Sequence, residues 1–276
     1  MRARDRILTA LALGGWGAFI AWFGMSGAPH QLAKDFSWPW RAARILLAGH
    51  DPYQAIQATG PYPFNVGMFY PLPAGLIAIP FAPLAPALAG GLFVGLSGAA
   101  LGWAVTRDSP HRLWLFASAP FCMAALLGQW SPILTAAALL PALQFACAAK
   151  PNIGLVAWLY RPSWRGAAGA VALVALSLVL LPQWPREWFE ALRAAPRYRG
   201  PAFSLLGAFT LLAALRWRRR EGRLLLGMAL VPQLALFYDQ LPLWLVPSTW
   251  ARSALLSALS WVAWFQWYPS HALPSS

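Results

Sequence analysis

The side chains best suited to chemistry are concentrated in residues 35–53, DFSWPWRAARILLAGHDPY, directly after the first hydrophobic run. This segment holds two of the chain's eight acidic residues, Asp35 and Asp51, with Arg41 and Arg44 between them. A carboxylate at the edge of a hydrophobic layer is costly to keep and is therefore a candidate for proton transfer or binding. Arginine suits phosphate, because its guanidinium presents paired N–H donors. The segment is therefore the first candidate site.

A short amphipathic helix is predicted between the two acids. Trp40, Ile45 and Leu47 can line one side of it, and Arg41 and Arg44, three positions apart, share another side. Such a helix is expected to lie at a membrane surface.

The composition of the chain indicates that this helix lies at a membrane. Of the 276 residues, 59% are hydrophobic and 11% are charged, and the mean hydropathy is +0.52. Several runs approach the ~20 apolar residues that cross a bilayer as a helix. We therefore predict an all-α, polytopic integral membrane protein, a single domain over residues 1–276 with about eight to ten membrane-embedded helices. The net charge of +13 comes from short basic clusters between hydrophobic runs, which indicates topology signals and lipid contacts rather than nucleic acid.

The basic clusters predict the topology. MRARDR precedes an apolar run over residues 7–25, which is typical of a signal anchor with a cytoplasmic N-terminus. Cleavage as a signal peptide near Gly27 is the alternative. Residues 26–86 then form an extracytoplasmic loop with surface helices that carry the candidate site, and the cluster RWRRREGR is cytoplasmic. The expected location is the cell inner (plasma) membrane.

Further spans follow from the hydrophobic runs. They are predicted at 87–106, 113–127, 131–149, 166–181, 202–215 and 224–237, with two more before residue 267. The span at 87–106 is rich in glycine, and Gly91, Gly95 and Gly98 are placed to allow close helix packing.

The eight acids sort by their neighbours. Five have arginines close in sequence: Asp5, Asp108, Glu187, Glu190 and Glu221. The other three, Asp35, Asp51 and Asp239, fall on the predicted outer side. Two of these three acids have a structural alternative to a role in the site. Asp51 precedes Pro52 and can cap a turn, and Asp35 can cap the amphipathic helix.

Five further segments occur in a fixed order with Asp35: WRAARILLAGHDPY, FYPLPAGLIAIPFAPL, GQWSP, AAKPNIGL and FYDQLPLWL. In this order they resemble the glycosyltransferase 87 family (the DUF2029 group) of the GT-C superfamily, over roughly residues 1–250. Members of that family are polytopic transferases that use polyprenyl-phosphate sugars.

The resemblance implies an inverting transfer of a sugar, such as mannose, from a polyprenyl phosphate to a lipid or glycan acceptor on the outer face. Asp35 would be the catalytic base that takes the acceptor hydroxyl proton. Six of the other candidate residues would bind substrate: Arg41, Arg44, Asp51, Tyr53, Gln129 and Asp239. For the arginines, snorkelling to lipid head groups is the alternative. We expect no cofactor and no metal, because a lone Asp among arginines offers few hard ligands; membrane lipids are the remaining expected partners.

Hydropathy and the family resemblance predict different positions for Lys150. Hydropathy predicts one straight span over residues 131–149, with Lys150 on the inside and without a catalytic part. The family pattern instead requires a re-entrant pair that turns at Pro141 and brings Lys150 to the donor phosphate. We favour the straight span, because Gln144 is the only strongly polar side chain available to the turn.

Two other function classes remain. A transporter or flippase of lipid-linked sugars would need paired polar residues deep in its spans and inverted repeats, and the sequence has almost none of the former and none of the latter. A non-catalytic membrane subunit is compatible with every feature above.

Overall fold

The computed structural model describes residues 1–26, 34–57, 62–64, 67–194, 198–232 and 238–271. Its α-helices are α1 (Ala3–Ser26), α2 (Ser37–Leu47), α3 (Pro52–Ala55), α4 (Leu72–Ala78), α5 (Pro86–Asp108), α6 (Ala119–Leu126), α7 (Ser131–Leu139), α8 (Pro151–Tyr160), α9 (Trp164–Leu180), α10 (Trp184–Ala194), α11 (Arg220–Leu230) and α12 (Trp250–His271). The 3-10 helices are Lys34–Phe36, Ile79–Phe81, Pro110–Ala117, Pro141–Ala149, Pro201–Phe203, Gly207–Arg216 and Tyr238–Leu245. Apart from the two-residue strands Ile56–Gln57 and Tyr62–Pro63, which pair in parallel, the described chain is helical, as predicted.

Two helices in the described ranges are long and apolar enough to cross a membrane, α1 and α5. Helices α9 and α10 make a third candidate if the pair, bent by 97° at its junction, counts as one broken span. The last predicted span lies on α12, which has 22 residues but is not among the candidates that are also apolar enough. The remaining predicted spans are shorter helices or 3-10 segments. Two expectations lie outside the described residues, the cleavage point near Gly27 and the end of the span at 224–237.

Helices α1 and α5 pack backbone to backbone along their glycines, as the sequence predicts. A Cβ on Gly95 would lie 3.0 Å from the Ala18 Cβ, and one on Gly14 would lie 2.7 Å from the Gly95 carbonyl oxygen. Only residues without a side chain permit so close an approach. This pair is the frame to which the shorter helices attach.

The straight helix predicted over residues 131–149 is wrong. Helix α7 ends at Leu139, Leu140 is extended, and a 3-10 helix runs from Pro141 to Ala149 before α8 begins at Pro151. Proline lacks the N–H that the preceding turn would bond, and its ring clashes with that turn, so the α-helix cannot continue through Pro141. The chain turns there, so residues 131–149 do not form one straight helix.

Helix α2 is amphipathic, as predicted, but its faces differ from the prediction. Trp40 and Ile45 are buried, whereas Leu47 is 64% exposed. Arg41 is buried and Arg44 is exposed, so the two arginines do not share a face. The inner face packs on α4 across a small-residue contact, where a Cβ on Gly75 would lie 3.0 Å from the Ala42 Cβ.

An aromatic cluster joins the start of α2 to α5 and α7. The Phe36 ring stacks on Phe93 with centroids 4.2 Å apart, and the Trp130 ring lies 4.9 Å from Phe93. Burying three aromatic side chains together makes this a strongly stabilised point of the fold. Because Asp35 precedes Phe36 and Gln129 precedes Trp130, the cluster fixes the positions of both polar residues.

Candidate functional site

Asp35 lies in the 3-10 turn Lys34–Phe36, just before α2. Its backbone N–H donates to the Leu127 carbonyl over 3.1 Å, which docks the turn on the C-terminal end of α6. Its Oδ2 accepts a hydrogen bond from Nε2 of Gln129. Helix α2 begins after Phe36 without a side-chain cap, so Asp35 is not the helix cap that the sequence allowed.

Gln129 is positioned by a glycine turn. Gly128 has a φ of 61°, in the left-handed region that glycine enters without a steric penalty. The Gln129 N–H donates to the Ala124 carbonyl over 2.8 Å and the Gly128 N–H to the Ala125 carbonyl over 3.2 Å, the pair of bonds that closes a Schellman motif at the end of α6. This turn explains why a glycine precedes the glutamine, and it directs the amide towards Asp35.

Lys150 lies with Asp35 and not away from it, which corrects the straight-span expectation. Its Nζ donates to Oε1 of Gln129 over 3.2 Å and to Oδ1 of Asp239 over 2.6 Å. The turn at Pro141 makes this possible, because the 3-10 helix returns the chain to the start of α8 beside α7. A close approach keeps α8 there: a Cβ on Gly154 would lie 2.3 Å from the Cys147 carbonyl oxygen.

Asp239 completes the group from a fourth part of the chain, the 3-10 helix Tyr238–Leu245. Its side chain is 7% exposed and that of Lys150 is 15% exposed, so the ion pair between them is largely removed from water. The Lys150 ammonium also lies 4.9 Å from the centre of the Tyr238 ring. Four segments distant in sequence therefore contribute one connected row of side chains, Asp35–Gln129–Lys150–Asp239, which we call the acid–amide row.

The charge of Asp35 is set by this environment. Burial raises the pKa of its carboxyl to about 6, because removal from water disfavours the ionised form; Lys150 opposes the rise and Asp239 adds to it. The direct partner of Asp35 in the row is the neutral amide of Gln129, whereas the Lys150 ammonium forms its ion pair with Asp239. A carboxylate with a pKa near 6 is mostly ionised at neutral pH and is a competent general base.

The other predicted site residues lie apart from the row. The Arg41 guanidinium lies 4.3 Å from the centre of the Phe64 ring, and that of Arg44 lies 4.9 Å from the Trp40 ring. Within the described residues, neither arginine forms an ion pair with Asp35.

Asp51 caps α3, with its Oδ1 accepting from the Tyr53 N–H over 2.8 Å, which is the turn-capping arrangement. The Tyr53 hydroxyl donates to the Tyr70 carbonyl over 2.9 Å. The Tyr53 bond thus joins α3 to Tyr70, whose ring lies 6.4 Å from that of Trp130 in the aromatic cluster. The part of Asp51 and Tyr53 in substrate binding stays a prediction.

Two residues near the row were not among the sequence candidates. Tyr238 lies against the Lys150 ammonium, and Lys34 adopts a φ of 46°, a conformation that costs energy in a residue other than glycine. Their positions next to Asp239 and Asp35 in the sequence were the available signal.

The described residues contain no group of three or more His, Cys, Asp or Glu side chains arranged to hold a metal ion. The chain matches no protein-family model, no curated protein and no solved structure. Its site must therefore be interpreted from its own geometry.

Proposed function

We propose that the chain is an integral membrane glycosyltransferase that moves a sugar from a polyprenyl phosphate to a lipid or glycan acceptor, with inversion at the sugar carbon. Asp35 is the base in this proposal. The observation that carries it is the acid–amide row, in which a carboxylate with a raised pKa is oriented by an amide and adjoins a buried ammonium.

Each side chain has a separate task. The Asp35 carboxylate takes the proton of the acceptor hydroxyl as that oxygen bonds to C1 of the sugar. The bond from C1 to the phosphate oxygen breaks, and the polyprenyl phosphate leaves with the electron pair. Lys150, the cation of the row, offsets the charge that develops on the phosphate. Asp239 holds the lysine in place and Gln129 links it to the base.

The membrane arrangement is part of the proposal. We infer a polytopic protein of eight to ten embedded helices, with the N-terminus and RWRRREGR in the cytoplasm and Asp35 on the outer face. The distribution of arginine supports this orientation. Short and broken helices at membrane depth are tolerated where protein surrounds them, so the two or three helices of spanning length are compatible with further embedded segments.

Radiolabelled sugar transfer tests the function. Membranes containing wild type or Asp35→Asn are supplied with polyprenyl-phosphate mannose, glucose or arabinose, and label entering lipid and glycan fractions is measured. Loss of a general base should lower transfer by about 10²- to 10⁴-fold. Asp5→Asn is the matched control, because Asp5 is an exposed acid in the first turn of α1.

The result also separates the alternatives. A folded wild-type protein that transfers label from none of the three donors would contradict the proposal and leave a non-catalytic subunit. Equal transfer by wild type and Asp35→Asn would show that Asp35 is not the base.

A further inference from the structure

A second charged group lies around Asp108, at the far end of α5. From Phe93, whose ring stacks on that of Phe36, the residue after Asp35, the helix rises 15 residues to Asp108, or ~22 Å at the α-helical rise. Three guanidinium groups converge on the Asp108 carboxylate. Arg112 bonds to Oδ2, Arg161 lies 2.5 Å from Oδ1, and Arg220 lies 3.8 Å from it.

The positive charge exceeds what the local acids neutralise. Arg220 also pairs with Glu221 over 2.8 Å, so the three converging arginines share two carboxylates. Arg107, which precedes Asp108 on α5, is exposed and forms no ion pair within the described residues. Four arginines against two acids leave an excess of two positive charges.

Part of this positive charge faces a cavity of about 310 Å³, since Arg107 and Arg161 line it whereas Arg112 and Arg220 do not. Its charged lining is Arg107, Asp108 and Arg161, and its apolar lining includes Leu139 and Leu140. The break at Pro141 belongs to the same wall. Because Asp108 is already surrounded by guanidinium groups, its carboxylate does not repel an anion that enters beside Arg107 and Arg161.

We propose that this cavity binds a phosphate group, either in the head group of a phospholipid or in a soluble phosphate ester. The volume holds a phosphate with part of its substituent, and the two lining arginines offer the paired N–H donors that fit phosphate oxygens. The site is separate from the acid–amide row and does not depend on the function proposed for it.

Binding to the purified protein in a neutral detergent tests the proposal. The probes are inorganic phosphate at constant ionic strength, dioctanoyl phosphatidic acid, and dioctanoyl glycerol, which has the same tails without phosphate. Affinity is measured by intrinsic tryptophan fluorescence and checked by native mass spectrometry. Arg107→Gln should weaken the binding of the phosphate-containing probe about tenfold, because the variant loses one charge-assisted contact.

Arg165→Gln is the matched control, since the Arg165 guanidinium lies over the Trp164 ring and outside the cavity. It should bind as the wild type does. Arg107 is exposed in the last turn of α5, so its replacement should leave the fold intact, and circular dichroism verifies this.

The different probes distinguish a phospholipid from a soluble phosphate ester as the ligand. Binding of phosphatidic acid but not of inorganic phosphate assigns a lipid, whereas equal affinity for both assigns a soluble ester. If neither binds, or if Arg107→Gln and Arg165→Gln bind alike, the proposal is wrong.

Discussion

Two acids near opposite ends of α5 are held in different ways. At one end Asp35 bonds to a neutral amide and forms no ion pair within the described residues, and Lys150, one of two lysines that act on it, is bound to a second acid. At the other end Asp108 is surrounded by three guanidinium groups. A carboxylate without a cation of its own can exchange a proton near neutral pH, whereas one neutralised by several arginines is held in its charged form. The comparison is the basis for proposing proton transfer at Asp35 and anion binding in the cavity beside Asp108.

The largest expected difference between the ends is in stability. Lys150→Met leaves Asp239 buried without a cation and should cost about 3–5 kcal/mol of unfolding free energy. Arg161→Met removes one partly exposed cation while Arg112 remains on Asp108, and it should cost less than ~1 kcal/mol. Unfolding in mixed detergent micelles measures both.

Lys150→Met combined with Asp239→Leu provides the control, because it removes both charges together and should recover most of the loss. Equal losses in the two single variants would show that the ends do not differ in this respect.

A smaller effect is expected from pH. The pKa of Asp35 rises from an ordinary value of 3.8 to about 6 in the folded protein, so folding favours the protonated form. This contribution to stability is fully present below about pH 4 and is lost as the pH rises through about 6. A shift of two units corresponds to at most ~3 kcal/mol.

The comparison variant is Asp35→Asn, which cannot ionise. The difference in unfolding free energy between wild type and variant should grow in the variant's favour from pH 4.5 to pH 7.5. A difference that does not change with pH would mean that Asp35 has an ordinary pKa. Transfer activity should show the reverse trend, falling below pH 6 as the base is protonated.

The smallest expected effect is on the pH dependence of transfer activity, and it tests the side-chain amide of Gln129. Gln129→Leu removes the hydrogen bond that favours ionised Asp35 and should move the acidic limb of the activity profile upward by about one pH unit, or ~1.4 kcal/mol. Gln144→Leu is the control, since Gln144 is buried but donates to the Arg161 carbonyl, away from Asp35. If the acidic limb of the activity profile lies at the same pH in both variants, Gln129 has no part in setting the pKa of Asp35.

Much of the frame followed from the sequence. The apolar runs at 7–25 and 87–106 predicted α1 and α5, because length and composition suffice for helices that no proline interrupts. The resemblance named Gln129, Lys150 and Asp239 as site residues, but their assembly into one row with Asp35 depends on turns that hydropathy does not register.

The errors have specific causes. Hydropathy counted nineteen apolar positions before Lys150 and gave Pro141 too little weight as an α-helix breaker. For Arg41, a separation of three residues from Arg44 placed the two on adjacent but not identical faces, and packing against Phe64 decided which was buried. Neither outcome depends on composition, so neither could be obtained without the tertiary contacts.

The backbone bond between Asp35 and Leu127 has a further consequence for how the site moves. Together with the Gly128 turn it ties the base and its amide to the end of one helix, so their relative geometry is settled when the chain folds. Lys150 instead reaches the row through a four-carbon side chain with several rotatable bonds. In the proposed reaction the entropy of orienting the base is therefore lost in folding and not in each catalytic cycle. The Lys150 ammonium could follow a departing phosphate only as far as its ion pair with Asp239 allows.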